Sequence, residues 1–131
     1  MIGIDTSVVV RYLMGTPASQ TRRAAAVIDG PDDIGIPLVV LLESAHLLRT
    51  QYDVARPDVV GALIDLATRR NVGVLGLPTA DTIEALVRAR SLPGSPIADA
   101  FVAATARWAG AVPLYTFDKG LERHGTPVAS P

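Results

Sequence analysis

Short apolar runs along this chain alternate with longer segments whose apolar positions recur at helical spacing, the pattern of parallel strands joined by crossover helices. Ile2 to Ile4 reads as a first strand, Ser7 to Met14 as a short helix, and Pro17 to Asp29 as a second helix closed by Gly30. Asp32 to Ile36 reads as a second strand. Pro37 opens a third helix to about Gln51 and Pro57 a fourth to about Arg70, which together form a helical hairpin. Val72 to Leu75 then reads as a third strand, Ala80 to Ser91 and Pro96 to Ala109 as two further helices, and Val112 to Thr116 as a fourth strand. Pro127 to Ala129 is a candidate fifth. The segment Ser91-Leu92-Pro93-Gly94-Ser95-Pro96 is the strongest loop signal and delivers Asp99 early in the helix that follows.

The 131 residues suit one domain, 1–131, and no repeat, low-complexity tract or shift of composition divides them. The apolar stretch from Ile34 to Leu42 contains Pro37 and falls far short of the roughly 18 residues of a membrane span. Met1-Ile2-Gly3-Ile4 has no basic segment ahead of an apolar one, so no secretory signal is expected and a cytoplasmic location is. With no cysteine and only His46 and His124, disulfides, thiolate zinc sites and cysteine nucleophiles are excluded, and an imidazole-rich zinc site is not expected. A net charge of −1 offers no global attraction to nucleic acid, so any such binding has to be local.

What changes the picture is a set of acids placed beside or within apolar elements. Asp5 follows Ile2-Gly3-Ile4, Glu43 lies inside Leu38 to Leu48, Asp99 sits in Ile97-Ala98-Asp99-Ala100-Phe101, and Asp118 ends Leu114-Tyr115-Thr116-Phe117. Each has a local explanation: Asp5 as a helix cap, Asp99 at the positive end of its helix, Asp118 as a turn initiator, Glu43 on a solvated face with Ser44 and Arg49. Their conjunction points elsewhere. Parallel sheets bind ligands beyond the carboxyl ends of their strands, where Asp5 and Asp118 fall, and Glu43 and Asp99 come from helices that can reach the same edge. Ionised carboxylates about 5 Å apart repel by roughly 3 kcal/mol per pair at an effective dielectric near 20. Gathering them calls for a cation, and oxygen ligands suit Mg²⁺ or Mn²⁺, with no calcium-type loop in the chain.

Three stretches, Ile4-Asp5-Thr6-Ser7-Val8-Val9-Val10, Leu42-Glu43-Ser44 and Ile97 to Ala106, with Thr116-Phe117-Asp118 completing them, resemble a PIN-domain protein. More narrowly, they resemble the VapC toxins of bacterial toxin–antitoxin pairs. The resemblance implies a three-layer α/β/α sandwich around a parallel sheet of four or five strands, and a Mg²⁺- or Mn²⁺-dependent endoribonuclease. It maps the family's acidic quartet onto Asp5, Glu43, Asp99 and Asp118. Asp5 and Asp99 would bind the principal ion, Glu43 would contribute directly or through water, and Asp118 would hold a second ion or a water. In this chain Lys119-Gly120-Leu121 separates Asp118 from Glu122, so the fourth acid's contact with metal is less secure than the other three.

Thr6, Ser7 and Thr116 could steady ligands through hydroxyl hydrogen bonds, and Arg11, Arg49, Arg107 and Lys119 could contact RNA phosphates. Local capping and solvated helix faces account for the same residues. The resemblance also implies a VapB-type antitoxin obstructing the acidic cleft, a homodimer, and tRNA or rRNA as substrate. The rival from another class is a catalytically silent PIN-like module that binds RNA or protein. A phosphatase of the haloacid dehalogenase type is disfavoured, because Asp5 is followed by Thr6-Ser7 in place of the D-x-D arrangement, and no phosphate-binding glycine loop is present.

Overall fold

The computed structural model describes residues 1–131, and its element order follows the alternation of the sequence. In chain order the elements are β1 (Ile2–Gly3), α1 (Thr6–Met14), α2 (Ala18–Ile28), β2 (Ile34–Pro37), α3 (Leu38–Thr50) and α4 (Arg56–Ala67). They continue with β3 (Val72–Leu75), α5 (Thr79–Ser91), α6 (Ile97–Trp108), β4 (Leu114–Tyr115), a 3₁₀ helix (Lys119–His124) and β5 (Val128–Ala129). No helix is long and apolar enough to cross a membrane.

β1, β2 and β3 form a parallel sheet in that spatial order, with Ile2 opposite Ile34 and Ile34 opposite Val72. β2 is the middle strand, and Ile34, Gly35 and Ile36 are all buried, as a parallel strand covered on both faces requires. Ile34 and Ile36 are fully enclosed, each worth roughly 1.5–3 kcal/mol of transfer from water. Gly35 has a steric reason. A β-carbon there would meet the Met1 sulfur at 2.8 Å and a Leu75 methyl at 3.1 Å.

A single sheet of four or five strands is not what forms. β4 and β5 make a separate parallel pair, Leu114 opposite Val128 and Tyr115 opposite Ala129. Strand length explains the split. β1 turns into α1 after Ile4, and β4 is confined between Pro113, which has no amide hydrogen, and the turn at Thr116–Asp118. The amides of Leu114 and Thr116 are both spent on β5, bonding the carbonyls of Pro127 and Ala129.

Three of the prolines sit one position outside helices that the sequence reading opens on them. Pro17, Pro37 and Pro96 are the N-caps of α2, α3 and α6, with extended ψ angles of 151°, 139° and 140° that lead the chain into the first turn. Pro57 lies within the first turn of α4. α3 and α4 pack as the expected hairpin, and α5 packs against both α4 and α6. The 3₁₀ helix after Asp118 exceeds the simple turn read there. Its buried residues, Leu121 and His124, are three apart, the repeat of a 3₁₀ helix, and it packs on α6.

Candidate active site

Asp5 lies just beyond the first strand and caps the first helix. Its Oδ1 accepts from the Ser7 amide at 3.0 Å, the Ser7 hydroxyl at 2.6 Å and the Val8 amide at 3.3 Å. These bonds, the Ser7 hydroxyl foremost, hold the Asp5 carboxyl below the usual carboxylate range although burial works weakly against them. Oδ2 accepts no hydrogen bond from the protein, so the capping role leaves one oxygen available. Thr6 is buried beside it.

Glu43 is exposed on α3, which packs against α1. Its neighbours Ser44 and Ala45 turn into the core while Glu43 faces outward. Asp5 and Glu43 line one open pocket of about 520 Å³ together with Thr6, Ser7, Arg11 and Tyr52. Within it the Arg11 guanidinium is held by two neutral groups, its Nε donating to Gln20 Oε1 at 2.6 Å and its Nη1 to the Tyr52 hydroxyl at 2.9 Å.

Asp99 occupies the first turn of α6 and is half-buried. Its charge reaches the buried imidazole of His124, where it favours protonation against the larger opposing effect of burial. The turn that carries Asp99 into its helix is tied down by Ser95, whose Oγ lies 2.9 Å from His124 Nε2. A second pocket, of about 350 Å³, separates this turn from α3 and is lined by His46, Arg49, Pro96 and Ile97, among others.

Asp118 is exposed and caps the 3₁₀ helix, its Oδ1 accepting from the Gly120 amide at 2.8 Å. Thr116 fixes the same turn. Its Oγ1 accepts from the Asp118 amide at 2.8 Å and donates to the Asp118 carbonyl at 3.3 Å. Lys119 is exposed directly after Asp118.

Of the four acids, the structure brings Asp5 and Glu43 into one pocket, while Asp99 and Asp118 lie outside it. No three carboxylate or imidazole side chains converge closely enough to hold a metal ion together. The donor chemistry fits a hard cation nonetheless. All three ion pairs of the chain go to Asp29 or Glu84, so none of the four acids is neutralised by a basic side chain. Arg107 has internal work: it donates to the His124 carbonyl at 3.2 Å and to Thr126 Oγ1 at 2.7 Å, and it approaches Glu84 at 3.7 Å.

Ser95, His124, Gln20 and Tyr52 were not singled out by sequence reasoning. Only His124 carried a signal, its spacing of three from Leu121 ahead of Gly125.

The fold is α/β with a parallel sheet, and an acid just beyond the carboxyl end of its first strand shares a pocket with a second acid from a later helix, at the edge where such sheets commonly present ligand sites. Comparison with curated proteins yields no match. The family model of the PIN domain matches residues 2–126, and the chain belongs to the PIN-domain family. That family is a nuclease fold, generally metal-dependent and acting on nucleic acids.

Proposed function

We propose that this chain is a Mg²⁺- or Mn²⁺-dependent endoribonuclease of the VapC type, the toxin half of a type II toxin–antitoxin pair. The observation that carries the reading is the pairing of Asp5 with Glu43 in one open pocket, both free of basic partners, in a chain of the PIN-domain family. Asp99 and Asp118 complete the set of ligands by the resemblance of their segments. A bound divalent ion would supply Lewis-acid activation of water and charge stabilisation at phosphorus.

The chain's own residues have distinct tasks in this reading. Asp5 presents Oδ2 while Ser7 and the helix amides fix Oδ1, which keeps the carboxylate ionised and oriented. Glu43 supplies the facing carboxylate from α3. Ser95 and His124 hold the turn before Asp99, and Thr116 holds the backbone of Asp118. Arg11 lies in the same pocket with unspent N–H groups and is suited to an RNA phosphate. Lys119 is available to a strand passing Asp118. The same reading carries one domain, cytoplasmic action on tRNA or rRNA, a homodimer, and a VapB-type antitoxin covering the cleft.

The test is incubation of purified protein with total cellular RNA in Mg²⁺ or Mn²⁺, beside EDTA and an Asp99→Asn variant prepared identically. Discrete metal-dependent cuts that the variant fails to make are the expected result. Intact RNA in every lane, with no Asp99-dependent binding of Mn²⁺, would overturn the nuclease reading and leave a silent binding module.

A further inference from the structure

Beside the acidic pocket, between α1 and α2, lies a third open pocket, of about 500 Å³, within the range of small-ligand sites at roughly 300–1,000 Å³. Val8, Ala24 and Val27 supply its apolar lining, and Arg11, Gln20 and Arg23 its polar groups. Ser7 and Arg11 line both pockets, so the two adjoin at α1.

The chemistry of Arg11 shows what such a groove is built to take. Its guanidinium is half-buried, yet no carboxylate lies within ion-pair distance. Gln20 and Tyr52 orient it through neutral contacts that use one Nε–H and one Nη1–H, leaving three of its five N–H donors without a protein acceptor. The Thr21 hydroxyl bonds the Arg11 carbonyl at 3.0 Å and locks α2 to α1 at this point. Arg23, across the groove, makes no hydrogen bond or ion pair of its own and is exposed. A preoriented, uncompensated guanidinium and a second free guanidinium lining one partly apolar groove are complementary to an anion carrying a flat apolar body. A nucleotide has that form.

We infer that the α1–α2 groove is a subsite for the nucleotide next to the cleaved phosphate, with Arg11 and Arg23 on its phosphate and Val8, Ala24 and Val27 under its base. The inference rests on the ribonuclease reading and adds to it the path of the strand. RNA leaving the Asp5–Glu43 pocket runs over Arg11 towards Arg23, not over α6. Arg22 provides an internal control, because it neighbours Arg23 in the chain but does not line the groove.

The experiment compares wild type, Arg23→Glu and Arg22→Glu by fluorescence anisotropy with a labelled single-stranded oligoribonucleotide of mixed sequence, Ca²⁺ replacing Mg²⁺ to slow hydrolysis. Arg23→Glu is expected to weaken binding by about tenfold and to flatten its salt dependence by about one counterion, as loss of a phosphate contact does. In cleavage assays it is expected to raise KM while kcat stays within about twofold. Arg22→Glu makes the same change of charge and is expected to stay within about twofold of wild type in both assays. Equal losses in the two variants would reduce the groove to a general field effect and overturn the subsite. RNA binding unchanged by Arg23→Glu would overturn it as well, leaving the groove to a protein segment. Failure of the ribonuclease reading is separate and visible first, since wild type would then leave RNA uncut in Mg²⁺ or Mn²⁺.

Discussion

The hydroxyl of Ser95 and Nε2 of His124 lie 2.9 Å apart with both side chains buried, which joins the turn before Asp99 to the 3₁₀ helix that begins after Asp118. Nδ1 of the same imidazole has no partner. The less costly neutral tautomer therefore carries its proton on Nε2 and donates to Ser95, leaving a bare acceptor instead of an unpaired donor. Arg107 and Thr126 extend the junction, Thr126 Oγ1 donating to the Ala103 carbonyl at 2.9 Å. Two of the four candidate acids thus depend for their relative placement on one small buried polar cluster.

Ser95→Ala is expected to cost about 1–3 kcal/mol of stability, the usual penalty for leaving a buried polar atom unsatisfied. Urea denaturation followed by far-ultraviolet circular dichroism measures it. A change below about 0.5 kcal/mol would mean that the cluster is wetter than its burial implies.

Acidification should weaken the fold through His124. Burial, as the largest cause, with the charges of Arg123, Arg88 and Arg56, lowers its pKa below the ordinary 6.5, against the opposing pull of Asp99. The unfolded chain therefore binds this proton at higher pH than the folded chain does. The stability held by neutral His124 is complete above pH 6.5 and falls as pH drops from 6.5 towards the lowered folded value, by at most about 1.4 kcal/mol per pH unit. Thermal melts of metal-free protein across that window should show the decline, and His124→Gln should flatten it. A wild-type profile as flat as the variant's would refute the assignment.

Much of this was legible in the sequence because local chemistry decided it. Asp5 follows an apolar run and precedes Thr6-Ser7, a pattern that places it just beyond a strand and offers it as a helix cap, and it lies two residues after β1 and caps α1. The prolines marked helix starts because a fixed φ suits the residue that leads into the first turn. What depended on distant contacts was not legible. β4 contains no mark that it pairs only with β5, because a two-residue strand has too little side-chain pattern to specify a partner. Glu43 reads as enclosed by Val39, Val40, Leu42 and Leu47, yet Val39 is exposed with it, and only the packing of α3 on α1 and α6 tells which side faces out. The roles of Gln20 and Tyr52 rest on contacts to Arg11 that span 9 and 41 residues, which no local pattern encodes.

Glu43→Gln probes the facing carboxylate without a change of shape. Because Glu43 is exposed and unpaired, its stability effect should stay within about 0.5 kcal/mol. RNA cleavage should fall by at least about a hundredfold if the carboxylate aids in stabilising the transition-state charge. Full activity in this variant would remove Glu43 from the site.

Asp5 separates its two roles by the choice of substitution. Asparagine caps helices about as well as aspartate, so Asp5→Asn should keep the bonds to the Ser7 and Val8 amides and change stability by less than about 0.5 kcal/mol. Alanine removes the cap and should cost about 1 kcal/mol. If Asp5 served only as a cap, cleavage would follow stability, with Asp5→Asn active and Asp5→Ala merely weakened. If its free oxygen serves the reaction, both variants lose at least about a hundredfold in kcat/KM, and Asp5→Asn does so while fully folded. Parallel denaturation curves and RNA cleavage assays on the two proteins decide between these outcomes, since the capping role acts through Oδ1 and the amides whereas the reaction requires the negative charge that asparagine lacks.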